Sequence, residues 1–141
     1  MSKQLYSFKG CYDFCTPASN KDGSDSTSLI EGRDGNFYGT TYSGGTHLCD
    51  VQGTVYGCGT IFKLTPAGVE TVLYNFNGLG AGNTDSAQPK ALIQAADGNF
   101  FGLTSFGGAN LAACCDGGDD GGGTVFLLSH PTWSPGRASP P

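Results

Sequence analysis

Cysteine is the residue type in this chain whose number and spacing most directly suggest chemistry. A zinc site would need paired thiolates at short spacing with matching ligands elsewhere. Cys11 and Cys15 form the only such pair, and His47 and His130 are not spaced to complete a site. Disulfides are therefore favoured over metal, and they imply an oxidising compartment, extracellular or at the cell surface. The six candidates for disulfides are Cys11, Cys15, Cys49, Cys58, Cys114 and Cys115.

Several connectivities are open to six cysteines. The short separations favour the local pairs Cys11–Cys15 and Cys49–Cys58. Cys114 and Cys115 are adjacent, and neighbouring cysteines rarely bridge each other. We therefore expect this last pair to reach other loops or another chain.

An acidic, glycine-rich loop is the second place where ligand chemistry is conceivable. Asp116, Asp119 and Asp120 could present carboxylates to Ca²⁺, which takes roughly six to eight oxygen ligands from flexible loops. The loop lacks the residue order of an EF-hand. We expect a solvated acidic loop and no cofactor, with Ca²⁺ binding as the alternative.

The sequence contains no recognisable motif for nucleophilic catalysis. No Gly-x-Ser-x-Gly elbow is present. Ser43 lies near His47, but a second copy of this segment, described below, has neither a hydroxyl nor an imidazole at the matching positions 106–110. The sequence therefore predicts a protein that is not an enzyme.

Composition narrows the class of partner. Charged residues make up 13% of the chain, against about a quarter in an average protein, and 24 residues are glycine. The chain contains seven Lys and Arg residues and twelve Asp and Glu residues, so it is acidic. Nucleic acid is excluded as a main partner, because binding to phosphates needs a basic surface. No apolar run approaches the ~20 residues of a membrane span.

The chain contains the same motifs twice, in the same order. A repeat of this kind buries its apolar face against a neighbouring unit, so such units stack. The motifs are Leu-Tyr-x-Phe at 5–8 and 73–76, Asp-Gly-Asn-Phe at 34–37 and 97–100, and Gly-Thr followed by an apolar pair at 59–62 and 123–126.

Each copy is organised as β-hairpins. In the first copy, residues 28–31 and 37–41 flank an Asp-Gly turn, and residues 59–64 and 69–76 flank the turn at 65–68. Asp-Gly between apolar runs is a strong hairpin signal. The sequence predicts an all-β fold of two four-stranded antiparallel, propeller-blade-like repeats, with long disulfide-stapled loops at 46–58 and 109–122.

Three segments follow from this pattern. Residues 1–72 form the first repeat, with an N-terminal strand at 5–8 completing a sheet. Residues 73–129 form the second repeat, which lacks its last strand. Residues 130–141 form a proline-rich tail.

The combined motifs resemble the Gloeo/Verruco (GloVer) tandem repeat of bacterial exported proteins. The matching positions are 29–45, 59–68 and 73–76 with their second copies, so the resemblance covers residues 5–128. It implies a secreted or surface β-repeat protein, propeller-like in architecture, with no established enzymatic role. The family has no agreed catalytic residues to transfer. This chain departs from it by having two copies and longer, cysteine-containing loops.

The positions of the first and last strand motifs within the repeat unit predict self-association. Residues 5–8 match the last strand of a unit that has no earlier strands, and residues 123–128 match a third strand with no fourth after it. An open edge is a template for pairing, so a head-to-tail filament of identical chains is expected. The residues expected to carry it are Leu5, Tyr6, Phe8, Val125, Phe126 and Leu128.

A carbohydrate- or surface-binding module is the alternative from another functional class. Tyr42, Phe106 and Trp133 lie near turns or in the tail, where an aromatic ring can stack on a sugar. Polysaccharide is the partner that this alternative implies.

Overall fold

The structure, a computed structural model, describes residues 2–10, 21–51, 54–78, 86–108 and 122–129. All regular secondary structure in these ranges is β. The described residues contain no helix long and apolar enough to cross a membrane. The strands are β1 (Ser24–Glu31), β2 (Phe37–Ser43), β3 (Leu48–Val51), β4 (Thr54–Gly57), β5 (Thr60–Leu64), β6 (Glu70–Asn75), β7 (Ser86–Gln94), β8 (Phe100–Gly107) and β9 (Val125–Leu128).

Two antiparallel sheets contain most of these strands. The four-stranded sheet has the order β1-β2-β5-β6, and the three-stranded sheet has the order β7-β8-β9. The all-β prediction is confirmed. The described residues form an open pair of sheets and do not close into a propeller. The second sheet has three strands there, one fewer than a complete four-stranded blade.

Turn chemistry defines the two Asp-Gly hairpins. The Asp34 side chain accepts the backbone N–H of Asn36 at 3.1 Å, and Asp97 accepts that of Asn99 at 3.0 Å. Gly35 supplies the positive φ, 79°, that the first turn requires. Local sequence therefore sets both turns, since an Asp side chain that bonds its own backbone two residues on stabilises a turn.

The core lies between the two sheets. Tyr38, Ile61 and Phe76 project from the four-stranded sheet, and Leu92 and Phe100 project from the three-stranded sheet to meet them. The Tyr38 and Phe100 rings lie 4.4 Å apart. All five side chains are at most 3% exposed, so this stacked interface is the main source of hydrophobic stabilisation.

Polar contacts fix β7 against the first sheet. The backbone N–H of Gln88 donates to the carbonyl of Cys58 at 2.8 Å, and the Thr27 hydroxyl donates to the carbonyl of Pro89 at 3.0 Å. At the far end of β7, the Gln94 side chain accepts the backbone N–H of Arg33 at 2.9 Å. The sheets are thus held in one relative position along the length of β7.

Two segments differ from the expectation. The loop at 46–58 contains the hairpin β3–β4, because its Leu, Val, Thr and Tyr residues favour strands. Residues 5–8, expected as a strand, belong to no strand. A strand needs a neighbouring edge to supply hydrogen bonds, and no strand of the described residues pairs with this segment.

Candidate functional site

The Cys49–Cys58 disulfide predicted from sequence is formed. Both cysteines are at most 1% exposed and belong to the core, so the bridge holds the β3–β4 hairpin against the sheets. Cys11, Cys15, Cys114 and Cys115 lie outside the described residues. The predicted pairing is therefore confirmed for one bridge only.

The candidate metal and catalytic groups are not assembled into a site in the described part of the chain. Within those ranges no three His, Cys, Asp or Glu residues are placed to hold a metal, and Asp116, Asp119 and Asp120 fall outside them. The buried Ser43 hydroxyl donates to the Asp25 carboxylate at 3.0 Å, whereas His47 is exposed with its Nδ1 3.2 Å from the Thr46 hydroxyl.

The turn aromatics considered for sugar stacking are only partly accessible. Tyr42 and Phe106 are half-buried, and Phe106 packs against the core. Trp133 and the tail at 130–141 lie outside the described residues. The described rings thus form no continuous exposed aromatic platform.

The N-terminal strap, which we define as residues 5–9, lies on the face of the four-stranded sheet turned away from the three-stranded sheet. Phe8 packs edge-on against Phe62, with ring centroids 4.9 Å apart and an interplanar angle of 68°. Tyr6 packs edge-on against Phe8 at 5.1 Å. Phe62 is 2% exposed as a result.

The same arrangement of aromatic rings occurs between the two sheets. Phe76 packs against Phe126 at 5.2 Å with an angle of 68°, and Tyr74 packs against Phe76 at 5.1 Å. These three residues, Tyr74, Phe76 and Phe126, are the motif copies of Tyr6, Phe8 and Phe62, respectively. The strap therefore contacts the four-stranded sheet as β6 contacts the three-stranded sheet.

Two apolar grooves mark these contacts. One, of about 520 Å³, lies under the strap, and the other, of about 260 Å³, lies between β6 and β9. Four positions of the first groove have their motif copies in the second: Tyr6 and Tyr74, Phe8 and Phe76, Phe62 and Phe126, Leu64 and Leu128.

The outward face of the three-stranded sheet is its side turned away from the four-stranded sheet. By strand alternation and register it consists of Ile93, Phe101, Leu103, Val125 and Leu127. Val125 is 74% exposed, Ile93 is 62%, Leu127 is 56% and Leu103 is 51%. Large exposed apolar patches are commonly the surfaces on which proteins associate.

The structure places the six residues expected to mediate self-association at two ends of the sheet stack. Leu5, Tyr6 and Phe8 lie in the strap, and Val125 lies on the outward face. Phe126 and Leu128 instead point inward and pack against the core. Within the described residues β9 pairs with β8 alone, so its second backbone edge has no strand beside it.

Sequence reasoning missed a pair of carboxylates beneath the strap. Asp22 is 7% exposed, and its Oδ2 accepts the Tyr6 hydroxyl at 2.6 Å and the backbone N–H of Lys9 at 3.2 Å. Burial and the hydrogen bond to Asp22 raise the pKa of Tyr6 above its ordinary range. Asp22 and Glu70 are 48 residues apart (70−22), so no local motif signals their proximity.

Glu70 is the second member of this pair. Burial, together with the charge of Asp22, raises the pKa of Glu70 to about 7, against the opposing charge of Lys9. Two carboxylates that share a poorly solvated site do not both ionise readily. The site thus has a group that titrates near neutral pH.

Comparison of the chain with family models, curated proteins and solved structures found no match. What the chain does is therefore inferred from its own geometry. A strap covers one sheet, the other sheet has an exposed apolar face and an edge strand with no neighbour among the described residues, and a carboxylate pair lies under the strap.

Proposed function

We propose that this chain is a non-enzymatic structural subunit that joins head to tail with copies of itself, as part of an extracellular or cell-surface fibre. One observation carries the proposal. Leu29 and Leu92 occupy the same motif position, yet Leu92 is 3% exposed beneath the four-stranded sheet and Leu29 is 57% exposed. A second copy stacked on the strap-covered face would bury Leu29 as Leu92 is buried.

The outward face is the surface that fits there. Val125 and Ile93 are the motif copies of Ile61 and Ile30, which lie on the inner side of the four-stranded sheet. Ile61 is 1% exposed against the three-stranded sheet, whereas Val125 is 74% exposed. Burying a branched aliphatic side chain fully contributes roughly 1.5–3 kcal/mol, so four such residues favour association substantially.

In this assembly the strap supplies a fourth strand to the three-stranded sheet of the neighbouring copy. It has the motif of β6, which pairs with β5 as the fourth strand of its own sheet. The Phe8 ring packs on Phe62 in the same way as the Phe76 ring packs on Phe126. Stacking a second copy would bring its β9 edge alongside the strap, where strand addition satisfies the backbone.

The two surfaces differ from each other, so the contact is heterologous and repeats from copy to copy. Such a contact gives a ring when its rotation closes and a helical filament when it does not, and we favour the filament. The buried disulfide is compatible with an oxidising compartment, and the resemblance to an exported repeat family supports the same location.

Sedimentation velocity over a range of protein concentrations tests the proposal. Wild type should form species that grow with concentration, whereas Val125→Lys should remain a monomer because it places a charge in the apolar contact. Val55→Lys is the matched control, since Val55 is 56% exposed and belongs to the separate two-stranded sheet β3–β4. A monomeric wild type at high concentration, or assembly of Val125→Lys equal to wild type, contradicts the proposal.

A further inference from the structure

The strap is fixed to the protein at two points by one buried carboxylate. The Tyr6 hydroxyl and the Lys9 backbone N–H both donate to Oδ2 of Asp22. Phe8 lies between these two points and packs on Phe62. The position of the strap therefore depends on Asp22 remaining in place and on the charges around it.

Glu70 adds a second carboxylate on the same face. It is the first residue of β6 and is paired with Leu64, whose side chain lines the groove under the strap. Oε1 of Glu70 and Oδ1 of Asp22 are both buried, and neither accepts a hydrogen bond from any of the described residues. A buried carboxylate oxygen without a donor is costly when charged and much less costly when its group is protonated.

We propose that Asp22 and Glu70 form a proton-controlled latch, which holds the strap on the sheet when Glu70 is protonated and loosens it when Glu70 ionises. The consequence for assembly rests on the proposed function: a docked strap presents the fourth strand, so acidic conditions favour polymerisation and alkaline conditions oppose it. The other titratable groups that interact with this pair are the Tyr6 hydroxyl, which is neutral, and the Lys9 ammonium, both in the strap.

The direction of the pH effect follows from linkage. With the strap docked, the pKa of Glu70 is about 7, and release of the strap returns this group to water and toward its ordinary value of 4.5. The docked form thus binds the proton more tightly. The contribution of Glu70 to docking is fully present below pH 4.5 and is lost as pH rises through about 7.

Hydrogen exchange of the Lys9 amide, measured by NMR, reports docking directly, since this N–H bonds to Asp22. The measurement uses the full chain carrying Val125→Lys at low concentration, so that it reports the monomer. After correction for the intrinsic exchange rate, protection should fall by at least about tenfold between pH 5.5 and pH 8.5, which corresponds to one pKa unit or more. Equal protection at both pH values overturns the latch.

Two further substitutions test whether the pH dependence of strap protection arises from Asp22 and Glu70. Glu70→Gln should keep the strap protected at both pH values, and Asp22→Asn, which keeps an acceptor for Tyr6, should move the midpoint to lower pH because it removes the like charge. Glu31→Gln, an exposed glutamate of β1, is the control and should leave the wild-type profile unchanged. A pH profile that persists in Glu70→Gln contradicts the latch.

The latch and the proposed function fail in different ways. Wild-type assembly is compared at pH 5.5 and pH 8.5 alongside the exchange measurement. A pH-dependent strap in a chain that never assembles supports the latch and refutes the proposed function. Assembly of equal extent at both pH values, with a strap protected equally at both, supports the function and refutes the latch.

Discussion

The rings of Phe8 and Phe62 lie 4.9 Å apart at an angle of 68°, close to the 5.2 Å and 68° between Phe76 and Phe126. The first pair joins the strap to a sheet, and the second joins two sheets within the core. A short segment that belongs to no strand thus packs as a strand of a neighbouring unit would. This relationship is the basis for regarding the two ends of the molecule as complementary.

Phe8→Ala and Phe76→Ala should differ in their effect on stability. Phe76 is 1% exposed, so its loss should lower the free energy of unfolding by about 3–5 kcal/mol. Phe8 is half-buried, and its loss should cost roughly 1–2 kcal/mol. Urea denaturation of both variants checks this. Equal losses would mean that the strap is as integral to the fold as β6.

Gly78→Ala should be much more damaging than Gly35→Ala. Both glycines have positive φ, 81° and 79°, so each substitution has the same conformational cost of about 1 kcal/mol. A Cβ at Gly78 would overlap the sulfurs of Cys49 and Cys58, whereas one at Gly35 meets open space.

The excess loss at Gly78 should be roughly 1–3 kcal/mol, from strain against the buried disulfide. Thermal unfolding of the two variants measures the difference. If both melt at the same temperature, the disulfide does not pack beneath residue 78.

Asp34→Ala should destabilise the protein more than Asp97→Ala. Both carboxylates hold an Asp-Gly turn, but Asp34 also accepts the Tyr38 hydroxyl at 2.7 Å, while the motif copy of Tyr38 is Phe101. We expect an excess loss of about 1 kcal/mol at neutral pH.

The additional loss of stability in Asp34→Ala, relative to Asp97→Ala, should also depend on pH. Burial acts to raise the pKa of Asp34, but hydrogen bonds from Asn36 and Tyr38 outweigh it and hold the pKa below its ordinary value. The folded protein therefore stabilises the ionised form, and this contribution is present above pH 4 or so and is lost as pH falls through the lowered pKa. Chemical denaturation at pH 7 and in acid checks this, and an excess that is larger in acid would be inconsistent with it.

Local chemistry was sufficient to predict much of this fold. The Asp-Gly turns and the strands flanking them follow from residue type and alternation, and the Cys49–Cys58 bridge follows from a short separation. The β3–β4 hairpin was missed because its strands have only four residues each, too few for a clear alternating pattern.

Non-local features were beyond sequence reasoning. The strap was expected as a strand because its motif matches β6, but strand formation depends on a neighbouring edge, which a motif does not specify. The Asp22–Glu70 pair has no local signal, since a loop residue and the start of a strand meet only through tertiary packing. The packing of the partly buried Phe126 and Leu128 against the core, where an assembly surface was expected, likewise depends on which face β9 turns inward.

The most direct test of head-to-tail assembly mixes two chains that each lack one surface. A chain without residues 1–9 keeps the outward face, and Val125→Lys keeps the strap, so neither should assemble alone. Mixed in equal amounts, they should form a dimer that grows no further, because only one complementary contact is available. Sedimentation velocity that shows this capped dimer bears out the account. A mixture that remains monomeric, or either chain assembling alone, contradicts it.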